Sequence, residues 1–243
     1  MVEYTHMNIP IIFENNDILI IHKPTAIVVH PFDYSTEETI VDFLLERYPK
    51  MFTITNEKKL QDSRIIELGG IVHKLDRDTS GVMVIAKNQK AFDELKTQFR
   101  NHIPKKTYLA LVEGIIDLRQ SRESGDSDTF TIDAPLGRNK KDYKQQVNPT
   151  NPRGELRDAV TDVRVITRNN NSTLVELTPK TGRTHQLRAH MAYIGHPIVG
   201  DKAYGSTQES ERIMLHAQQL TFSLFGEHYT FEVAPDPLFG EEK

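Results

Sequence analysis

Polar and apolar positions along the chain alternate in ways that predict both strands and helices. Residues 82–86, VMVIA, are apolar on both alternations, which predicts a strand covered on both faces. Residues 11–13 and 18–21 are short apolar runs around a polar ENND turn, and residues 159–167 and 173–177 alternate on either side of RNNNS. The first pair predicts a hairpin or two successive strands, and the second a hairpin. Residues 108–112 and 129–133 read as further strands, and residues 221–224 and 229–233 as a closing hairpin around a turn at 225–228.

Three stretches have helical spacing. Ser35 and Glu38 form a capping-box pattern ahead of Ile40, Val41, Leu44 and Leu45, with a stop near Arg47. Asn88 is the expected N-cap of a helix carrying Phe92, Leu95 and Phe99 on a core face to about Arg100. Thr184 is the expected cap of a third, with Leu187, Met191 and Ile194 on one face and Gly195 as its stop. Residues 50–68 and 117–128 read as irregular, residues 139–158 as mobile and solvated, and the tail from Pro235 as frayed.

Candidate chemistry concentrates just ahead of the buried strand. His73, Lys74, Asp76, Arg77 and Asp78 crowd one irregular segment, and Thr79, Ser80 and Gly81 provide turn residues. In the third helix Arg188 follows Leu187, so its guanidinium leaves from the edge of the buried face, where a loop carboxylate can meet it.

Composition narrows the classes. With 243 residues, 37% hydrophobic and 26% charged, a sizeable core is available, and no cysteine means no disulfide, thiolate metal site or cysteine nucleophile. No signal-peptide pattern or membrane-length apolar run is present, which places the chain in the cytoplasm. The formal charge of −4 does not announce a nucleic-acid partner, so local clusters carry that argument. They are Arg100, His102, Lys105 and Lys106; Arg138, Lys140, Lys141 and Lys144; and Arg183, His185, Arg188 and His190.

HKLDRDTSG before a hydrophobic strand resembles the HRLDxxTSG signature of the RluA family of pseudouridine synthases. IIHKPTAIVVH is similar to its first motif, KPxG(L/I)xxH, with Ala26 where glycine is usual, a departure that bears on turn geometry. KKTYLALVEG resembles KxYxAxVxG, and the stretch from LTPKTGRTHQLRAH to GDKAYG resembles the third motif. The resemblance covers residues 11–233 and implies an α+β fold: a pseudouridine synthase core, a largely antiparallel mixed sheet in two halves with flanking helices and a central cleft. Residues 1–10 are then an N-terminal tail, 11–234 the catalytic domain and 235–243 a C-terminal tail, with no separate N-terminal RNA-binding domain.

On this resemblance the catalytic residue is Asp76. Tyr108 lies against the target base, Arg188 pairs with Asp76 and keeps it charged, and Lys74 and Arg183 contact substrate. Arg77, Lys105, Lys106 and Arg138 are the expected RNA-binding residues. Lys74 stands where the family has arginine and lacks its planar fork, which bears on RNA choice. The implied reaction turns a uridine of ribosomal or transfer RNA into its C-glycoside, with no cofactor and no metal. Attack by the carboxylate on the sugar, attack on the base and proton removal from the sugar remain open as routes. The expected partner is RNA, with no membrane and no obligate protein partner, the chain acting as a monomer. Two competing readings are a catalytically silent RNA-binding module on the same fold and a metal hydrolase using His185, His190, His196 and His216, whose i, i+5 spacing suits zinc poorly.

Overall fold

A computed structural model describes residues 7–32, 37–60, 63–117, 128–138, 145–147 and 154–239. The chain forms two compact units, Met1–Pro104 with Gln219–Val233, and Lys105–Gln218 with Ala234–Lys243.

In the first unit, β1 (Ile11–Glu14) and β2 (Ile18–Lys23) form an antiparallel hairpin. Its turn is fixed by the Asn15 side chain, which accepts the Asp17 and Ile18 amides at 2.8 Å each. Helix α1 (Ile40–Arg47) begins later than the sequence suggests, with Thr39 as N-cap in a reciprocal box with Asp42. Thr39 bridges Val28, and the amides of Ile40 and Val41 donate to the carbonyls of Val28 and Val29, so the preceding chain is pinned extended. Glu38 is accordingly non-helical, and Ser35 lies outside the described residues.

Residues 50–68 are more ordered than expected. A 3-10 turn over Pro49–Thr53 leads to the short hairpin β3 (Glu57–Lys59) and β4 (Ile65–Glu67), with Met51, Ile54 and Leu60 buried beneath. Strand β5 (Ser80–Ala86) pairs antiparallel with β2 and is buried at every position, as its doubly apolar pattern requires. Helix α2 (Gln89–Arg100) is capped by Asn88, whose side chain accepts the Ala91 amide at 3.0 Å, and it buries Phe92 and Leu95.

In the second unit, β6 (Lys105–Glu113), β7 (Thr129–Asp133), β10 (Val160–Arg168) and β11 (Ser172–Pro179) form antiparallel ladders in the order β6-β11-β10-β7. Ala110, Val112, Val163, Val175 and Leu177 supply one core face. After β7 comes a short strand, β8 (Leu136–Arg138), paired with β9 (Gln145–Val147), which lies inside the stretch expected to be mobile. Helix α3 (Gln186–Tyr193) packs Met191 into the same core.

The closing segment is one long strand, β12 (Leu215–Leu224), which runs from the second unit into the first. It turns through Phe225 and Gly226, both at positive φ, into β13 (Glu227–Glu232). The tail from Pro235 is not frayed throughout: Phe239 is 5% exposed and packs against His216 and Arg212. Among the described residues, no helix is long and apolar enough to cross a membrane.

Candidate active site

The Asp76 loop is held from below by its backbone. Lys23 ends β2 opposite Gly81 and is fully buried, which is costly for an ammonium unless all three donors are used. They are used: its Nζ donates to the carbonyls of Pro24 at 2.8 Å, Ile27 at 2.7 Å and Arg77 at 2.9 Å. Thr25 Oγ1 donates to the Asp78 carbonyl at 3.1 Å, and the Thr79 amide closes a turn onto the Asp76 carbonyl at 3.2 Å. The KPT tripeptide thus grips the backbone of the loop at Arg77 and Asp78.

The segment upstream is fixed as tightly. An added Cβ on Gly70 would lie 1.7 Å from the Ala86 carbonyl oxygen, so only glycine permits this approach to β5. His73 accepts the Val84 amide at Nε2 and stacks on the half-buried Phe99 with centroids 4.4 Å apart, so Phe99, expected on the core face, supports the loop. Between these supports Leu75 is buried, Asp76 and Asp78 are half-buried, and Lys74 and Arg77 are exposed. Arg77 approaches Glu37 and Asp78 at 3.5 Å each, long contacts on a half-exposed side chain.

Helix α3 carries the second set. His185, not Thr184, is its N-cap, in the left-handed region at φ 54 with no side-chain cap bond. Gln186 takes over the fastening. Its Oε1 accepts from Thr181 Oγ1 and the Arg183 amide, and its Nε2 donates to the Val160 carbonyl and Thr161 Oγ1, all within 2.7–3.0 Å.

Arg188 is buried, and a loop carboxylate meets it as its place at the edge of the buried face leads one to expect. Its Nε and Nη2 donate to Asp201 at 2.6 and 2.9 Å, a forked pair in which Asp201 is fully buried. The guanidinium carbon lies 4.9 Å from the Tyr204 ring centroid, and the Tyr204 hydroxyl meets His185 Nδ1 at 3.0 Å. Asp201 and Tyr204 were not among the residues singled out from the sequence. The usable signal was chemical: a buried guanidinium needs acceptors on more than one edge, and GDKAYG supplies a carboxylate and a ring.

The cluster of Arg183, His185, Arg188 and His190 is therefore not a surface patch. His190 is buried, with Nδ1 at 2.9 Å from Thr161 Oγ1 and Nε2 at 3.0 Å from the Ala134 carbonyl, and burial pushes its pKa below the usual histidine value. Both its ring nitrogens are engaged, and His196 Nδ1 is on the Glu113 carbonyl at 2.8 Å, so these histidines serve the fold.

Tyr108 is half-buried on β6 opposite Leu177. Lys105 beside it is exposed, and burial pushes the Lys106 ammonium below the usual lysine value. Arg138 and Arg183, far apart in sequence, line one cavity of about 610 Å³ together with Arg157, Glu155 and Thr184. Arg157 is an addition to the expected set, while Lys140, Lys141 and Lys144 lie outside the described residues.

The sequence profile described as RNA pseudouridylate synthase matches residues 17–193, which include Lys23, Asp76, Tyr108, Arg183 and Arg188. The chain belongs to this family. It is 38% identical over 235 residues to an uncharacterised RNA pseudouridine synthase of Bacillus subtilis, covering 95% of this chain and 70% of that protein. It is 35% identical to ribosomal large subunit pseudouridine synthase D of Borreliella burgdorferi over 88% of this chain, and spans 61% of that relative's length. The solved structure of human RNA pseudouridylate synthase domain containing 1 matches with a TM-score of 0.72 at 27% identity, over 98% of this chain and 87% of the other. The pseudouridine synthase fold expected from the motifs is thus the fold observed. Asp201 and Tyr204 fall beyond the residues matched by the family profile.

Proposed function

We propose that this chain isomerises uridine to pseudouridine within RNA, with ribosomal RNA as the substrate class. The observation that carries the reading is Asp76 itself. It is a half-buried carboxylate in the family's loop, with its backbone fastened by Lys23 and Thr25 so that the acid is presented in a fixed place. Relatives named for the large ribosomal subunit support the choice of RNA.

The reaction breaks the bond between N1 and the ribose carbon, turns the uracil and joins the sugar to C5. The C5 proton is lost and N1 gains one, so atoms balance and no oxidation state changes. A stacked base cannot turn, so the uridine leaves the stack first, at a cost of a few kcal/mol. In our reading Asp76 is the catalytic group, Tyr108 lies against the base, and Arg188 is the cation that keeps Asp76 ionised. Asp201 engages Nε and Nη2 of Arg188 and so fixes the plane of the guanidinium. Lys74, Arg77, Lys105 and Lys106, with Arg138 and Arg183 around their cavity, hold phosphates. Residues 11–234 act as one catalytic domain, in the cytoplasm and as a monomer.

Asp76→Asn tests the reading. Carbodiimide adducts mapped by primer extension should appear with the wild-type protein and fall by at least about a thousandfold in rate with the variant, while RNA affinity stays within a few-fold. Undiminished isomerisation by the variant overturns the assignment, and a wild-type protein that binds RNA but forms no adduct favours a silent binding module. Arg188→Lys, which keeps the charge, should lower turnover far more than RNA affinity, and equal losses contradict the ion-pair role.

A further inference from the structure

Strand β6 carries Tyr108 near its start and ends on Glu113, a residue to which the catalytic reading gives no task. The half-buried carboxylate of Glu113 collects four donors from one stretch of loop. Its Oε1 accepts from Ser206 Oγ and from the Thr207 and Gln208 amides at 2.6 Å each, and its Oε2 from Thr207 Oγ1 at 3.0 Å. Burial works to raise the pKa of this carboxyl, but the donors of Ser206, Gln208 and Thr207 outweigh it and hold the pKa below the usual value. The ionised side chain therefore ties the end of β6 firmly to the chain that leaves the Asp201 loop.

That loop is tied to β6 at its other end as well. The Glu113 amide donates to the Pro197 carbonyl and the Val199 amide to the Leu111 carbonyl, both at 2.9 Å, so backbone alone lays the entering chain along the strand. Within the loop, the Asp201 carbonyl accepts the Tyr204 and Ser206 amides at 2.9 and 3.1 Å. Ser206 Oγ has one proton, which goes to Glu113 at 2.6 Å rather than to the Gln208 carbonyl at 3.3 Å, and its lone pair accepts the Gly200 amide at 3.0 Å. Ser206 thus links the first residues of the loop to the carboxylate that anchors its exit. Between these ties lie Asp201, which forks Arg188, and Tyr204, whose ring centroid is 4.9 Å from the guanidinium carbon.

We propose that Glu113 is a positioning residue for the isomerisation, closing the loop of Asp201 and Tyr204 through Ser206 and so fixing the direction of the Arg188 guanidinium. The inference rests on the isomerase reading, in which Arg188 serves Asp76. The fork to Asp201 sets the plane of the guanidinium, and the anchored loop sets where that plane lies. Without Glu113 the loop keeps its internal bonds but loses its hold on β6. Arg188 then stays paired and is aimed less sharply.

The experiment measures turnover at saturating RNA, RNA affinity and urea midpoint, using the full chain and a transcript of large-subunit ribosomal RNA. Glu113→Ala should lower turnover about ten- to a hundredfold while affinity stays within about twofold. Ser206→Ala, a milder variant that leaves the Thr207 and Gln208 donors in place, should lower turnover about three- to tenfold. Thr173→Val is the control for stability. Thr173 Oγ1 accepts the Ile116 amide at 3.1 Å and donates to the Gly114 carbonyl at 2.8 Å, just beyond the same strand end, so its loss should lower the urea midpoint and leave turnover unchanged. In an Arg188→Lys background no forked guanidinium is left to aim, so adding Glu113→Ala should change turnover by less than about twofold. A full further loss in that background, or an equal loss of turnover in Thr173→Val, overturns the positioning role. Wild-type protein that binds the transcript and isomerises none of its uridines overturns the parent reading instead.

Discussion

The Asp76 loop in the first unit and helix α3 in the second are each built around one ion, and they stabilise it by opposite means. Lys23 is a cation whose ammonium donates to three backbone carbonyls, each a partial charge on rigid backbone. Arg188 is a cation matched by a full carboxylate, Asp201, on a loop. Carbonyls hold the chain that carries them, so Lys23 organises backbone and positions the loop of Asp76. A carboxylate orients the guanidinium it faces, so Asp201 sets the plane of Arg188. Where the backbone must be held, a lysine with three donors suits the task; where a side chain must be aimed, a fork does.

The largest effect should come from Asp201→Asn. It removes the carboxylate that forks a buried guanidinium, which costs about 3–5 kcal/mol, and urea unfolding should show a correspondingly lower midpoint. A loss below about 1 kcal/mol would mean that Asp201 is not what compensates Arg188. Lys23→Met should follow at roughly 3 kcal/mol, because three part-buried carbonyls lose their donor while the stem of the side chain stays filled. It should also widen the distribution of Asp76 positions, so turnover at saturating RNA should drop by more than in a variant of equal stability elsewhere. If Lys23→Met destabilises the protein but leaves turnover unchanged, the lysine is a fold residue only.

Much of this was legible from sequence where the determinant is local. The strand at 80–86 was plain because burial on both faces leaves no polar alternation, and the Asn88 cap because its acceptor serves an amide three residues on. The start of α1 was misplaced because the bridge between Val28 and Thr39 outranks an earlier capping pattern. The acceptors of Lys23 are backbone atoms and have no residue signature at all. Asp201 sits thirteen residues beyond Arg188 in a loop without periodicity, and Phe239 anchors a tail that reads as polar. Motifs showed which side chains matter, and packing decided what each one touches.

Two histidines extend the comparison to pH. His30 and His190 both have pKa values lowered chiefly by burial, one in each unit. For such a group the unfolded chain takes up a proton near pH 6.5 that the folded chain refuses. Stability is therefore full above that pH and declines as pH falls toward the folded value. Urea unfolding between pH 7.5 and 5 should show this slope, and His190→Gln should remove at most about one proton's worth of it.

The smallest expected effect tests how far the first motif is optimised. Ala26 holds φ 62, in the left-handed region that costs a side chain about 1–2 kcal/mol, at the place where the family has glycine. Glycine removes that strain but adds unfolded-state entropy of about 0.5–1 kcal/mol, so Ala26→Gly should stabilise by roughly 0.5–1 kcal/mol. Because Ala26 lies between Pro24 and Ile27, whose carbonyls Lys23 binds, relaxing it should leave turnover unchanged if Lys23 sets the loop by itself. A stabilised protein with altered turnover would show instead that the strained turn, as well as the lysine, determines where Asp76 stands.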